Sequence, residues 1–355
     1  HESLGARLAT VNHAEVVASY GDVPAEYSAL RAAAGVLDLS CRSRLCLAGS
    51  DRVRFLHGQV TNNAKELRPG EGCYAALVTA KGKLQSDLNV YCLPEELLLD
   101  FEPGLTAAVS QRLERYIVAD DVQVVDVEPL YGLLTVQGPQ AGAVVRGIGL
   151  FSEFPSRPFA SVRVTDPTLG EIYLMNQPRI GTSGFDLFLP GNALGAVADK
   201  LIAAAKAVGG RACGWDAVEI ARIEAGIPRF GADMDETNFP QECGIESRAV
   251  SYTKGCYIGQ EVLNRLHTGG HVNRQLCGLR WAEALPGLPS KGDKLLRDGK
   301  EVGYITSAVI SPALNAPIAL GYVRRQAAAV GAELRCRSAQ GESLAQIVNL
   351  PFVAL

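Results

Sequence analysis

The sequence predicts an α+β protein built of two similar mixed α/β halves followed by a small all-β barrel or sandwich. Three features carry that expectation. Short strand-like runs alternate with helical patterns early in the chain, and the same alternation recurs after about residue 130. Beyond residue 275 the texture changes to short strand-like pieces separated by turn residues. At 355 residues the chain also exceeds the length at which one hydrophobic core usually stops growing. The expected organisation is residues 1–275, divided near 130, and then 276–355 as the barrel.

Taken in order, Pro24 to Leu39 places Leu30, Ala33, Val36 and Leu37 at helical spacing, with Gly35 weakening the last turn. Arg44 to Leu47, Tyr74 to Val78, Leu88 to Cys92 and Glu96 to Phe101 read as strands, and Leu105 to Ile117 as a helix. Leu133 to Val136, Glu171 to Met175 and Phe185 to Leu189 read as strands of the second half. Asn192 to Val208 follows as a helix with Leu194, Val197, Leu201 and Ile202 on one face, and Ala217 to Ala225 is again helical. The last region offers Leu276 to Trp281, Lys294 to Leu296, Glu301 to Ile305, Ile318 to Val323, Glu333 to Cys336 and Ala345 to Val348 as strands.

An apolar fraction of 47% with 20% charged residues is that of a globular protein, and a net charge of −4 supplies no global field for nucleic acid. One stretch is basic. It holds Arg248, Lys254, Arg265, Arg274 and Arg280 with His267 and His271, against Glu261 alone. It reads either as a solvated loop or as a site for an anionic ligand. No apolar run is long enough to span a bilayer and no basic, apolar leader opens the chain, so the expectation is a protein without membrane contact, cytoplasmic by default. The first residue is His1 rather than Met, which leaves room for a removed upstream segment.

The nine cysteines form no C-x-x-C pair and no zinc-finger spacing, so neither a disulfide framework nor a metal site is expected. One of them stands apart. In Lys254-Gly255-Cys256-Tyr257-Ile258-Gly259-Gln260-Glu261 a lysine precedes the thiol by two residues, and two glycines give the backbone freedom. A nearby cation favours thiolate, which makes Cys256 the candidate reactive thiol. Asp87, between two strand-like runs, could hydrogen-bond an amine-rich heterocycle or exchange a proton with it; the plainer reading is a turn-capping carboxylate. Arg222 and Glu224 lie two apart on a helix and diverge. The acidic run Gly231 to Thr237 lacks calcium-loop spacing and reads as a capped loop. Nucleophile elbow, phosphate loop and dinucleotide fingerprint are all missing.

Together these segments resemble the glycine-cleavage T-protein (aminomethyltransferase) superfamily over nearly the whole chain. Ala34-Gly35-Val36-Leu37-Asp38-Leu39-Ser40 looks like its entry segment, and Phe55-Leu56 with Thr61-Asn62-Asn63 like its next motif. Gly82 to Leu88 is similar to the family's Gly-Gly-Ile-Ile-Asp-Asp-Leu loop, with Asp87 on the second aspartate. Arg222-Ile223-Glu224-Ala225-Gly226, Asp233 to Thr237, Val302 to Ser307 and Ile318 to Gly321 match later segments. Two departures stand out. Where aminomethyltransferases carry Lys-x-Asp-Phe-Ile-Gly, this chain has the cysteine octapeptide with Arg265 four residues on, as in the branch associated with iron–sulfur protein maturation and tRNA modification. Arg179 to Asp186 lacks the glutamate that holds the pterin ring.

The resemblance implies two folate-binding α+β domains and a C-terminal barrel around a central opening. It implies tetrahydrofolate or a one-carbon derivative as cofactor, bound near Tyr74, Asp87 and Arg222, with Arg222 meeting a folate carboxylate. Lys254, Tyr257, Gln260 and Arg265 would complete the binding set, and Cys256 and Asp87 would carry the chemistry. The first functional expectation is a folate-binding accessory protein whose partners are iron–sulfur client or assembly proteins. The second is a tetrahydrofolate-dependent aminomethyltransferase or methyltransferase. The third, an RNA or protein interaction module, lacks aromatic residues interleaved with its basic stretch.

Overall fold

The computed structural model describes residues 1–354. The chain divides into two compact units. The first comprises His1–Val78, Gln85–Val218 and Ser251–Ile258; the second comprises Thr79–Leu84, Glu219–Val250 and Gly259–Leu355.

The first unit opens with the hairpin β1 (Arg7–Val11) and β2 (Ala14–Ser19), then helix α1 (Val23–Ala32). Asp22 caps that helix, its Oδ1 accepting from the Ala25 amide at 3.0 Å. The helical pattern was expected to run to Leu39, but the chain turns into strand β3 (Gly35–Asp38). The reason is packing: a side chain at Gly35 would come within 2.5 Å of Leu30 and 2.7 Å of Cys213, so only glycine lets the strand leave so close to its own helix. The unit continues through β4 (Ser43–Ala48), α2 (Arg52–Gln59), β5 (Gly72–Val78), β6 (Leu84–Cys92), β7 (Leu97–Phe101), α3 (Thr106–Glu114) and β8 (Gln123–Asp126). Then come β9 (Tyr131–Gln137), α4 (Ala141–Gly147), β10 (Ser161–Asp166), β11 (Gly170–Asn176), β12 (Gly184–Pro190), α5 (Leu194–Ala207) and β13 (Arg211–Ala212).

These strands form two sheets, ordered β5-β6-β7-β4-β8 and β10-β11-β12-β9-β3-β13. Because side chains alternate along a strand, each sheet has two unlike faces. One face of the first buries Leu45, Leu47, Leu77, Leu88, Val90 and Leu99 against Phe55 and Leu56 of α2 and Val109 and Leu113 of α3. One face of the second buries Val136, Ile172, Leu174 and Leu187 against α4 and against Val197, Leu201 and Ala205 of α5. Each such aliphatic side chain contributes about 1.5–3 kcal/mol of transfer free energy. The opposite faces meet: the Arg179 Nη2 beside β12 donates to Asp100 Oδ2 of β7 at 2.8 Å, and the Tyr91 and Phe188 rings cross edge to face at 6.0 Å. The unit is thus a helix–sheet–sheet–helix sandwich.

The second unit takes in the later part of α6 (Trp215–Glu224), α7 (Glu246–Ala249), α8 (Gln260–Thr268) and a closed six-stranded barrel. Its strands are β14 (Arg274–Arg280), β15 (Lys294–Arg297), β16 (Lys300–Ser311), β17 (Ala316–Arg324), β18 (Glu333–Ser338) and β19 (Gly341–Val348), closed in the order β14-β17-β16-β15-β18-β19. Leu279, Trp281, Leu295, Ile305, Val323, Leu334 and Ile347 fill it, and the Trp281 indole N–H donates to Ser343 Oγ at 3.0 Å. The β5–β6 hairpin tip, Thr79–Leu84, belongs to this unit: Gly82, at φ +73°, sits against Val262 and Leu263 of α8. No helix among the described residues is long and apolar enough to cross a membrane.

Candidate functional site

The alternation that buries Ala75 and Leu77 of β5 and Leu88 and Val90 of β6 under the helices turns Tyr74 and Asp87 to the inter-sheet face. There the Tyr74 hydroxyl donates to Asp87 Oδ2 at 2.8 Å. Asp87 Oδ1 is buried with no hydrogen-bond partner among the described residues. Burial first, and then the negative charge of Glu102, push the Asp87 carboxyl up to about 6. Tyr74 donates to the charged form and restrains that rise.

Beside this couple lies an ion network that sequence reasoning did not find. Arg42 Nε donates to Asp100 Oδ1 at 2.7 Å and its Nη1 to Glu102 Oε1 at 2.7 Å. Asn89 Nδ2 donates to Asp100 Oδ2 at 2.8 Å, and Arg179 Nε reaches Asp186 Oδ2 at 3.0 Å. Burial alone would raise Asp100, but Arg179 and Arg42 outweigh it and hold the carboxyl well below its ordinary range. A charged residue inside the apolar run Leu97-Leu98-Leu99-Asp100-Phe101 was the available signal, since a fully buried carboxylate must be paired. The Arg179 to Asp186 segment therefore supplies Arg179 and Asp186 to this network, while Thr182 Oγ1 stays buried without a partner among the described residues.

The cysteine loop alternates anchors with exposed positions. Lys254 and Tyr257 are buried; Gly255 and Cys256 are exposed. Lys254 Nζ donates to the carbonyls of His57, Val60 and Asn62, at 2.5, 2.7 and 2.9 Å, where α2 ends. Its ammonium thus caps carbonyls at the end of α2, the Asn62 carbonyl accepting also from the Ala64 amide, rather than standing free for the Cys256 thiol. Burial lowers Lys254 to about 8, and the Lys254 nitrogen lies 4.8 Å from the Tyr257 ring centre. Burial pushes the Tyr257 phenol up to about 12. Among the nine cysteines Cys256 is the exposed one; Cys41 and Cys73 are half-buried and the rest buried.

The other expected residues lie in the second unit. Arg222 is buried, and its guanidinium meets Glu219 at 2.7 Å, Ser307 at 2.9 Å and Asp233. The expected folate-carboxylate partner is thereby occupied by the protein's own acids. Glu224 accepts from Ser311. Gln260 opens α8, and Arg265 pairs with Glu261 at 2.9 Å one turn earlier on its exposed face. No cluster of three or more His, Cys, Asp or Glu residues placed to hold a metal occurs among the described residues.

With a two-sheet first unit, a six-stranded barrel and a Tyr–Asp couple between sheets, comparison with known proteins is decisive. Residues 1–254 match the model of the GCVT N-terminal domain, and residues 274–354 that of the glycine cleavage T-protein C-terminal barrel domain. The chain belongs to the glycine-cleavage T-protein family. The Cupriavidus necator aminomethyltransferase is 30% identical over 378 residues, covering 99% of this chain and 95% of the relative. A Nostoc aminomethyltransferase is 28% identical over 356 residues, covering 98% and 92%. The glycine cleavage system aminomethyltransferase T of Bartonella henselae superposes with a TM-score of 0.89 at 25% identity, covering 99% and 96%. The T-protein fold thus extends through both units of the chain.

Proposed function

We propose that this T-protein family member binds tetrahydrofolate and moves a one-carbon unit to or from it, as an aminomethyltransferase or methyltransferase. Aminomethyltransferases of the family bind tetrahydrofolate, which supplies nitrogen atoms able to carry the one-carbon unit. The observation that carries the proposal is Asp87: a buried carboxyl oxygen without a partner, on a group poised at about 6, is suited to accept a hydrogen bond or a proton from an amine. Tyr74 fixes the other oxygen and so aims the free one.

The residues fit such a ligand in kind. Asp87 Oδ1 and Thr182 Oγ1 are buried polar atoms that an amine-rich heterocycle would satisfy, and each would otherwise cost about 1–3 kcal/mol. Calorimetric titration with tetrahydrofolate and its 5-formyl form, on wild type and Asp87→Asn, tests the proposal. Micromolar binding that weakens in the variant supports it; no binding up to about 1 mM refutes it.

A second reading is favoured by one specific observation, the exposed Cys256 between two buried anchors. It makes the protein a folate-binding accessory factor for iron–sulfur proteins, with Cys256 as nucleophile, transient cluster ligand or redox group. Glycine-cleavage turnover with lipoylated carrier protein separates the two. Turnover favours the transferase; silence, with loss of complementation in Cys256→Ser, favours the accessory factor.

A further inference from the structure

The two histidines of the basic stretch take no part in the chemistry above, and the second unit folds them into a pocket of about 260 Å³. His267 comes from the last turn of α8, His271 from the loop that follows, and Arg325 from the turn after β17; Gln241 and Gln275 add amides. The loop is held to that turn by the Arg325 amide, which donates to the Asn273 carbonyl at 2.9 Å. The side chains of Arg325 and His271 have no partner among the described residues. One carboxylate lines the pocket, Glu246, and His267 Nδ1 lies 3.0 Å from its Oε1.

We infer that this pocket is an oxyanion site for a small phosphorylated molecule. Sign comes from the Arg325 guanidinium, with the two imidazoles as further hydrogen-bond partners, against a single acid already facing one of them. Shape comes from donors on three separate segments, which converge on a volume and so suit a tetrahedral phosphate better than a planar carboxylate. Size comes from the 260 Å³, which leaves room beyond the phosphate for a small organic body against Leu266 and Val272. The lining holds no Phe, Tyr or Trp ring, the broad platforms on which single-stranded nucleobases stack, which argues against a nucleic acid.

Titration of the full chain with phosphoserine and with inorganic phosphate, followed by phosphorus NMR, tests the site. Saturable binding is expected for both, with Arg325→Ala and His271→Ala each weakening it about tenfold, the loss of one charge-assisted contact. Arg280→Ala, in the same basic stretch but outside the pocket, should leave it unchanged, as should Asp87→Asn. No saturation up to about 10 mM, or equal weakening by Arg280→Ala, overturns the inference. Tighter binding of glutarate overturns the choice of phosphate, and micromolar binding of a single-stranded oligonucleotide in the absence of phosphoserine binding transfers the surface to nucleic acid. Arg325→Lys, which keeps the charge and loses the fork, should fall between wild type and Arg325→Ala.

Discussion

Replacing Asp87 by asparagine should stabilise the ligand-free protein at neutral pH while abolishing one-carbon transfer. A carboxyl lifted from 3.8 to about 6 has lost about 3 kcal/mol of its preference for the ionised form. The sign follows from proton linkage. The folded state holds this proton more tightly than the unfolded chain, so the contribution of Asp87 is fully present below about pH 4 and is lost as the pH rises through 6. At pH 7 the wild type therefore carries a buried charge that the neutral amide does not. The full 3 kcal/mol will not be recovered, because the new amide nitrogen can fall where Oδ1 now lacks a partner, at a cost of about 1 kcal/mol. A gain of about 1–2 kcal/mol at pH 7, vanishing or reversing at pH 4, is the expected net effect. Urea titrations of both proteins without folate, from pH 4 to 8, measure it. A difference between the two proteins that does not change with pH would refute the reasoning, since the burial of charge would then not be its source.

Asp100→Ala leaves Arg42 and Arg179 facing each other without their shared carboxylate, and a loss of about 3–5 kcal/mol in urea denaturation is expected. Tyr74→Phe removes the hydrogen bond that favours the charged Asp87, so the acid limb of a pH–rate profile should move above about 6. Lys254→Met removes three hydrogen bonds to carbonyls at the end of α2 and should cost about 2–3 kcal/mol, measured by the shift in urea midpoint. Cys256→Ser should change stability by less than about 0.5 kcal/mol, and limited alkylation followed by peptide mass mapping should label Cys256 before any other cysteine.

The elements legible in the sequence are those with one clean period. Helix α5, with Val197, Leu201 and Ala205 buried four apart, and the barrel strands after Arg274 fall within a few residues of where the pattern places them. Strand β3 was hidden inside a helical pattern, because Val36 and Leu37 fit a helix face as well as a strand and only the tertiary contact of Gly35 with Leu30 and Cys213 decides between them. Strand β8 is hidden because its mostly exposed residues lie on a sheet edge, where burial writes no apolar alternation, whereas β10, on the edge of the other sheet, carries a short alternating signal in Val162 and Val164, which pack on the core. At the site, the Tyr74–Asp87 couple joins positions that motif reading had singled out. The partners of Asp100 could not be read, since Arg42 and Arg179 lie 58 and 79 residues away and no local rule pairs them. Lys254 shows the same limit: two residues from Cys256 in sequence, its ammonium is spent on the end of a helix nearly two hundred residues earlier.

That network bears on chemistry more than on stability, because a buried ion pair seldom repays its desolvation against a well-packed apolar alternative. What it does is divide the carboxyls between the two sheets into unlike roles. Asp100, clamped by Arg42 and Arg179, is held well below the ordinary carboxylate range and so is ionised at neutral pH. Asp87 forms no ion pair with an arginine among the described residues, and burial and the charge of Glu102 push it up to about 6 against the weaker pull of Arg42. Pairs of groups driven apart in this way are how one site keeps a permanent charge and a titratable proton side by side. Burial also raises Asp186, but Arg179 holds that carboxyl, so the raised carboxyl with an oxygen open to a ligand is Asp87. Neutralising Glu102 should lower the Asp87 value and Arg42→Met should raise it, since each removes the charge that now pushes the other way. A titration of Asp87 that ignored both substitutions would show that burial alone sets its value, and that the network serves only to hold the sheets together.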